Sequence, residues 1–348
     1  MRVRVCTGDS FQKERFFMNV DNKDIDVVVL WVDGSDPVLS QKRKSYQTEA
    51  MESSFDDVGG KTRYADIGEI EYCLASVNRF APFIRKIFIV TDGQNPLTDK
   101  KLHERFTIPM EIVDHKVIFE GYEQYLPTFN SRAIETLIWR IPGLSEKFIL
   151  MNDDFFFRSP VFPQTFFSGK LTTVWATWRN ISWTRLRHNL RYATKSHVKV
   201  SFKDSLINAA QIMGESRRYL YLTHSPRAMR KSFFVNFYGA HDNKIHLNED
   251  IILRNIRHRF RDNQQFNSQE LFYINEYKSK RLLVESPEKN VLYMQPRHSS
   301  NYIRRKIKDF TDNEECLFGC VNSLDLATDQ EQKMMLDWLH NLVYGTEK

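Results

Sequence analysis

The segment IDVVVLWV, from Ile25 to Val32, constrains this chain more than any other. It is Val-rich and almost continuously apolar, and it stops at Asp33-Gly34-Ser35-Asp36-Pro37, a cluster of turn formers. A strand covered on one face alternates apolar with polar residues; one covered on both faces reads as a run. The chain must therefore put helices on both sides of a sheet, and the next 120 or so residues supply them. Ile67, Ile70, Leu74, Val77 and Ala81 recur at helical spacing and predict a helix ended by Pro82. Ile84–Val90 predicts a second strand, stopped by Thr91-Asp92-Gly93, and Met110–His115 a weaker third. Phe129, Ala133, Ile134, Leu137, Ile138 and Ile141 predict another helix, capped by Asn130 or Ser131 and closed by Pro142-Gly143. Lys147–Met151 predicts a strand that runs into Asn152-Asp153-Asp154. This alternation is the signature of an α/β fold with a mostly parallel central sheet.

A chain of 348 residues makes one large domain or two ordinary ones. No linker rich in Gly, Ser or Pro divides it, so one elaborated domain is expected. Its parts are an N-terminal extension (1–23), an α/β core (24–160) and an irregular basic half (161–348) packed on the core. In that half, a helix is expected over 209–221, another from Glu249 through Ile256, polar irregular chain over 262–290 and an amphipathic helix over 331–343. The longest apolar run is six residues, Val27 to Val32, whereas a spanning helix needs about 20. The first 20 residues carry no apolar core of a signal peptide, so a cytoplasmic protein is expected. The four cysteines, Cys6, Cys73, Cys316 and Cys320, lack the spacing of a zinc module. They read as reduced thiols, with Cys73 in a helix core.

Charge is unevenly spread. Between Trp178 and Arg261 there are 17 Lys and Arg against 5 Asp and Glu, within a chain whose net charge is +6. Such a stretch suits nucleic acid, an anionic membrane face or a phosphorylated substrate, or is simply a solvated surface. The acids lie elsewhere. Three predicted strands end in Asp33/Asp36, Asp92 and Asp153/Asp154, and a fourth ends near Asp114-His115. In open α/β sheets, ligands bind beyond the carboxyl ends of the strands. An Asp-Asp pair there is a candidate site for Mg²⁺ or Mn²⁺, hard cations that share carboxylate and phosphate oxygens. No G-x-S-x-G nucleophile elbow is present, and Gly59-Gly60-Lys61-Thr62 lacks the spacing of a phosphate-binding P-loop.

Several segments together resemble the Stealth proteins, bacterial capsular polysaccharide phosphotransferases related to the catalytic subunit of animal N-acetylglucosamine-1-phosphotransferase. The first is Asp24 through Pro37. The second runs from Arg63-Tyr64 and Asp66 through Glu69 and Tyr72 to Ala81–Gln94, then Leu126–Ser131 and Ile141–Asp154. Shorter ones are His224-Ser225-Pro226-Arg227, Glu249-Asp250 and Cys320-Val321-Asn322. The chain departs from the pattern at Glu71, where an arginine is common, and at Ser323, where an acid is frequent.

The resemblance implies a GT-A-like core. It also implies transfer of a sugar 1-phosphate from a nucleotide-diphosphate sugar to a hydroxyl of a polysaccharide or oligosaccharide, with release of a nucleoside monophosphate. Trp31, Asp33 and Gly34 are then expected on the donor's base or ribose, with Asp36 also in the donor site. Asp92, Gly93 and Gln94 would border its sugar, Asn130 would complete the donor site, and Asp153 and Asp154 would hold Mg²⁺ or Mn²⁺. His224 is the expected general base, with Glu69 and His246 in reserve, and Arg227 and Arg132 neutralise the transferring phosphate. Capsule assembly proteins or the anionic inner membrane face are possible peripheral contacts, and nucleic acid is not an expected partner. The alternatives are a conventional glycosyltransferase releasing a nucleoside diphosphate and a non-enzymatic binder of anionic polymers.

Overall fold

Strand β1 (Ile25–Leu30) is buried at all six positions. In this computed structural model, residues 24–47, 67–97, 106–192, 201–239, 245–295 and 300–345 are described. The expected extension over 1–23, Cys6 and the 63–66 segment lie outside them. In the first half, β1 is followed by β2 (Ile87–Thr91), β3 (Met110–Asp114), β4 (Lys147–Asn152) and β5 (Phe155–Phe157). The rest of the chain adds β6 (Phe167–Ser168), β7 (Leu171–Asn180), β8 (Arg218–Leu222) and β9 (Arg227–Arg230). It ends with β10 (Leu282–Glu285), β11 (Val291–Met294) and β12 (Phe318–Val321).

The central sheet has the order β3-β2-β1-β4-β9. Its first four strands are parallel, and β9 closes the edge antiparallel to β4. The expected α/β architecture with a mostly parallel sheet is therefore present. Val28, Leu30, Phe88, Val90, Phe148 and Leu150 face one core layer. Val27, Val29, Ile87, Ile89, Ile149 and Met151 face the other. Two-sided burial is the reason β1 has no polar alternation. Asp26 is the exception: fully buried, it accepts from the Arg85 guanidinium at 2.6 Å and from the Ser145 N–H at 2.7 Å. One helix covers each face. Glu69–Phe80 buries Ile70, Cys73, Leu74 and Val77 on one side, and Ser131–Leu137 buries Ala133 and Leu137 on the other.

Two smaller sheets complete the molecule. One has the order β10-β7-β6, with β8 paired to β7; the other is β11-β12-β5. In the second, β12 runs antiparallel to β5, placing Gly319 opposite Phe156 and Cys320 opposite Phe155. Gly319 is required there, because a Cβ would stand 2.1 Å from the Phe156 ring.

The basic half differs from its expectation in two places. The helix expected over 209–221 is instead Phe202–Ile212, followed by strand β8. Gly214, at φ +73°, ends the turn after that helix in the left-handed region that glycine tolerates. The polar stretch 262–290 contains a helix, Ser268–Lys278, with eight buried residues. The expected helices near 249 and 331 are found as Ile245–Ile256 and Asp329–Tyr344. Among the described residues, no helix is long and apolar enough to cross a membrane.

Candidate active site

Parallel register brings the strand ends to one edge. Leu30 lies beside Val90 and Asn152, and Thr91 beside Asp114. Trp31, Asp92, His115 and Asp153 therefore leave the sheet together. Strand β9 runs the opposite way, with Arg227 beside Leu150, so His224 arrives at the same edge from the other direction. The chain builds β2 and β3 on one side of β1 and returns to place β4 on the other. That reversal of strand order is where α/β sheets open a crevice. A cavity of about 170 Å³ lies there, lined in part by Trp31, Asp92, Asn130 and Asp153. A larger cavity, about 620 Å³, opens around Glu146, Lys170 and Arg230, at the opposite end of β4, and holds none of these acids.

Asp153 and Asp154 form the turn between β4 and β5. Asp153 also borders a narrow cleft that it shares with Asp154 and Glu69. Glu69 begins its helix and accepts from the Ile67 N–H at 3.0 Å. Asp154 is braced from the far end of the chain. Its Oδ2 accepts from the Asn322 amide at 3.0 Å and from the Cys320 thiol at 3.3 Å, and its carbonyl accepts from the Val321 N–H at 3.1 Å. Burial, and then the Asp154 charge, push the Cys320 thiol well above its ordinary pKa, so it stays protonated and donates. Asp154 Oδ1 is buried and has no hydrogen-bond partner. Ligand atoms of Asp154, His224 and Cys320 lie within 4.8 Å of one another. An orphan carboxylate oxygen, with a second acid next in sequence, fits a divalent cation. Sequence spacing offers no sign of Cys320, because it joins the site only through the β5–β12 pairing.

The His224 ring packs against Tyr293, with centroids 4.7 Å apart, and meets the Phe155 ring edge at 6.2 Å. Desolvation lowers its pKa; Asp154 opposes this and Arg227 adds to it. Arg227 is held from behind. Its guanidinium donates to the Gln269 side chain and, at 2.8 Å, to the Thr223 carbonyl. Burial raises the pKa of the nearby Glu135 carboxyl, and the Arg227 charge opposes this. This polar network lies on the helix that the sequence does not reveal. Arg132 points elsewhere, donating to the Asp262 carbonyl at 3.1 Å and the Ser201 carbonyl at 3.3 Å, which ties its helix to both loops. His246 lies on the helix Ile245–Ile256, and its side chain is outside the described residues.

Of the other expected donor residues, Asp92 and Asn130 line the cavity, and Asp33, Gly34, Asp36, Gly93 and Gln94 lie on the loops after β1 and β2. The Gln94 side chain accepts from the Asp33 N–H at 3.0 Å and donates to the Asp33 carbonyl at 2.8 Å. It also donates to the Asp36 carboxylate at 3.1 Å. This clamp fixes the loop carrying Gly34 to the loop carrying Gly93, whose φ is +72°. Asp36 caps the helix Pro37–Lys44 through the Val38 N–H at 2.7 Å. Asp92 pairs with Lys42 at 2.6 Å. Asn130 caps its helix and donates at 3.0 Å to the carbonyls of both His258 and Phe260.

His115 also belongs to this edge. Burial lowers its pKa from 6.5 to about 4; the Asp92 and Asp114 carboxylates oppose this and Lys42 reinforces it. The folded state therefore holds a neutral ring over a range where the unfolded chain takes up a proton. Its contribution to stability is complete above pH 6.5 and is lost as pH falls from 6.5 towards 4. The slope is at most about 1.4 kcal/mol per pH unit for one proton. Chemical denaturation at pH 7, 6 and 5 should show a steeper acid limb in the protein than in His115→Phe, since the lowered pKa of His224 is common to both. Parallel limbs in the two proteins would remove the assignment.

The fold and the edge define a mostly parallel α/β protein with a cavity and an acid turn at its strand-order reversal. Stealth protein CR1, conserved region 1, matches residues 23–49, and Stealth protein CR2, conserved region 2, matches residues 63–174. The chain thus carries the first two conserved regions of the Stealth proteins. An exopolysaccharide phosphotransferase of Nocardia farcinica is 42% identical over 145 residues, 42% of this chain and 27% of the relative. The receptor polysaccharide phosphotransferase WefC of Streptococcus oralis is 40% identical over 144 residues, 41% of each chain. A capsular polysaccharide phosphotransferase of Actinobacillus suis is 40% identical over 146 residues, 42% of this chain and 38% of the relative. The matched segment thus spans from about a quarter to two-fifths of these relatives. Mouse xyloside xylosyltransferase 1 in its apo form aligns over 86% of this chain and 98% of its own. Its TM-score is 0.38 and its identity 9%, a likeness too distant to carry an argument.

Proposed function

We propose that this protein transfers a sugar 1-phosphate from a nucleotide-diphosphate sugar to a hydroxyl of a growing or primer capsular polysaccharide. One observation carries the reading: the two conserved regions coincide with the acid-bearing edge of the central sheet. The first contains Trp31 and Asp33; the second contains Glu69, Asp92, Asn130, Asp153 and Asp154. Relatives that align over about two-fifths of the chain are named polysaccharide phosphotransferases.

In this reading the donor lies along the edge, with its diphosphate at Asp153 and Asp154. Those two residues would hold Mg²⁺ or Mn²⁺, which when bound neutralises the diphosphate. The acceptor oxygen bonds to the phosphorus that carries the sugar. The bond from that phosphorus to the bridging oxygen breaks, and a nucleoside monophosphate leaves. The acceptor's proton passes to His224. Its lowered pKa leaves the ring neutral near pH 7, as a general base requires. Arg227, fixed behind it by Gln269 and Thr223, supplies positive charge near the transferring group.

Incubation with a panel of nucleotide sugars and a capsule oligosaccharide, followed by phosphorus NMR, tests this. A new phosphodiester resonance together with nucleoside monophosphate is expected. Release of nucleoside diphosphate with no phosphodiester would instead identify a conventional glycosyltransferase.

A further inference from the structure

We propose that His115 and Thr128 read the heterocyclic base of the donor nucleotide, inside the cavity at the strand-order reversal. The inference rests on the proposed donor site and adds the residues that would set nucleotide choice. Both side chains line that cavity. Both are deeply buried, at 5% and 3% exposure. His115 Nδ1 and Thr128 Oγ1 have no hydrogen-bond partner. Buried polar atoms are nearly always satisfied, and leaving one unmade costs about 1–3 kcal/mol. Two orphans lining one cavity point to a ligand that supplies the missing partners.

Size and shape narrow its chemistry. At about 170 Å³ the cavity is well below the roughly 300–1,000 Å³ that encloses a drug-sized ligand. It accepts one part of a nucleotide, a planar ring system, and not the whole. Val32, Val90 and Ile134 provide apolar wall, and Trp31 and Phe129 provide aromatic surface. Phe129 is itself held by Phe260, stacked at 5.2 Å. Apolar and aromatic walls with a few polar atoms suit a base, whose faces are apolar and whose edge is a row of donors and acceptors. An imidazole nitrogen and a hydroxyl can each donate or accept, so the pair can match such an edge.

Direction agrees with this assignment. Asp153 borders both this cavity and the cleft of Asp154 and Glu69. A base seated on His115 and Thr128 therefore directs the attached phosphates toward the acid turn. Phosphate itself is a poor occupant, because the wall sets two carboxylates, Asp92 and Asp153, against one guanidinium, Arg261.

Calorimetry with UMP, CMP, AMP and GMP tests the assignment, with Mg²⁺-pyrophosphate as the baseless control. The unmodified protein should prefer one of the four nucleotides by about tenfold or more. Thr128→Val and His115→Phe should each weaken that nucleotide at least tenfold and flatten the preference. Pyrophosphate binding should not change, and the thermal unfolding midpoint should not fall. Thr128→Val removes one hydroxyl at nearly constant shape, so it keeps the test open if His115→Phe misfolds. Unaltered preference in Thr128→Val and in a folded His115→Phe would overturn the proposal while leaving the donor reading intact. An equal loss of pyrophosphate binding would overturn it as a structural effect. If the unmodified protein binds none of the four nucleotides, this proposal and the donor reading fall together.

Discussion

His224→Ala is expected to lower turnover by ~10²–10⁴-fold, the usual contribution of a positioned general base. Donor binding should change little, since Trp31, Asp92 and Asp153 stand on the sheet side of the edge. His224→Gln should not rescue the rate. Glutamine can hydrogen-bond the acceptor hydroxyl but cannot take its proton at neutral pH. The ring also packs on Tyr293, so the unfolding midpoint of each variant must accompany the rates. A loss in His246→Ala alone would move the role to His246. Near-normal turnover in folded His224→Ala and His246→Ala proteins would move it to a carboxylate. Glu69, in the cleft with Asp153 and Asp154, is then the next group to test.

The second large effect belongs to Asp154. Asp154→Asn should lower turnover on the order of 10²–10³-fold, the loss typical when one preorganised electrostatic group is removed. The substitution separates charge from support. An asparagine oxygen can still accept from the Asn322 amide and the Cys320 thiol, so the brace across β5 and β12 survives. The carboxylate charge and the lone pairs of Oδ1 are lost. Mn²⁺ binding, followed by electron paramagnetic resonance in the absence of donor and acceptor, should weaken in parallel. Asp153→Asn provides the comparison. Unaltered Mn²⁺ binding in both variants would remove the acid turn as the cation site, whatever happens to the rate.

The parts of this molecule legible in the sequence are those where one physical demand sets the pattern. β1 is sandwiched between two helical layers, so it must be apolar throughout, and all but Asp26 is. The helix Glu69–Phe80 buries one stripe, so its apolar residues repeat at helical spacing. Asn130 is legible as a cap because short polar side chains favour that position, and it caps. The helix Ser268–Lys278 obeys no such rule. It buries Gln269, Glu270 and Glu276, whose side chains accept from Arg227, the Leu220 N–H and Arg281. A buried polar face looks like a solvated one until its partners are known. Cys320 lies in one of the resembling segments, but its contact with Asp154 is hidden for a different reason. Its role depends on a strand pairing that reaches Asp154 across 166 positions, and no local pattern encodes such a distance.

That long-range brace also sets the order in which the protein becomes competent during synthesis. Chains leave the ribosome from the N-terminus, at about 5–20 residues per second, and can begin to fold as they emerge. The four parallel strands and the turn carrying Asp153 and Asp154 are all present once residue 154 has appeared. Asp154 gains the hydrogen bonds from Val321 and Asn322 only after residue 322 has been made. A nascent chain can thus hold the strand side of the cavity, from Trp31 to Asp153, long before its acid turn is locked. Strand β12 acts as a key, reaching the acid turn only after Cys320, 166 positions further along, has been made.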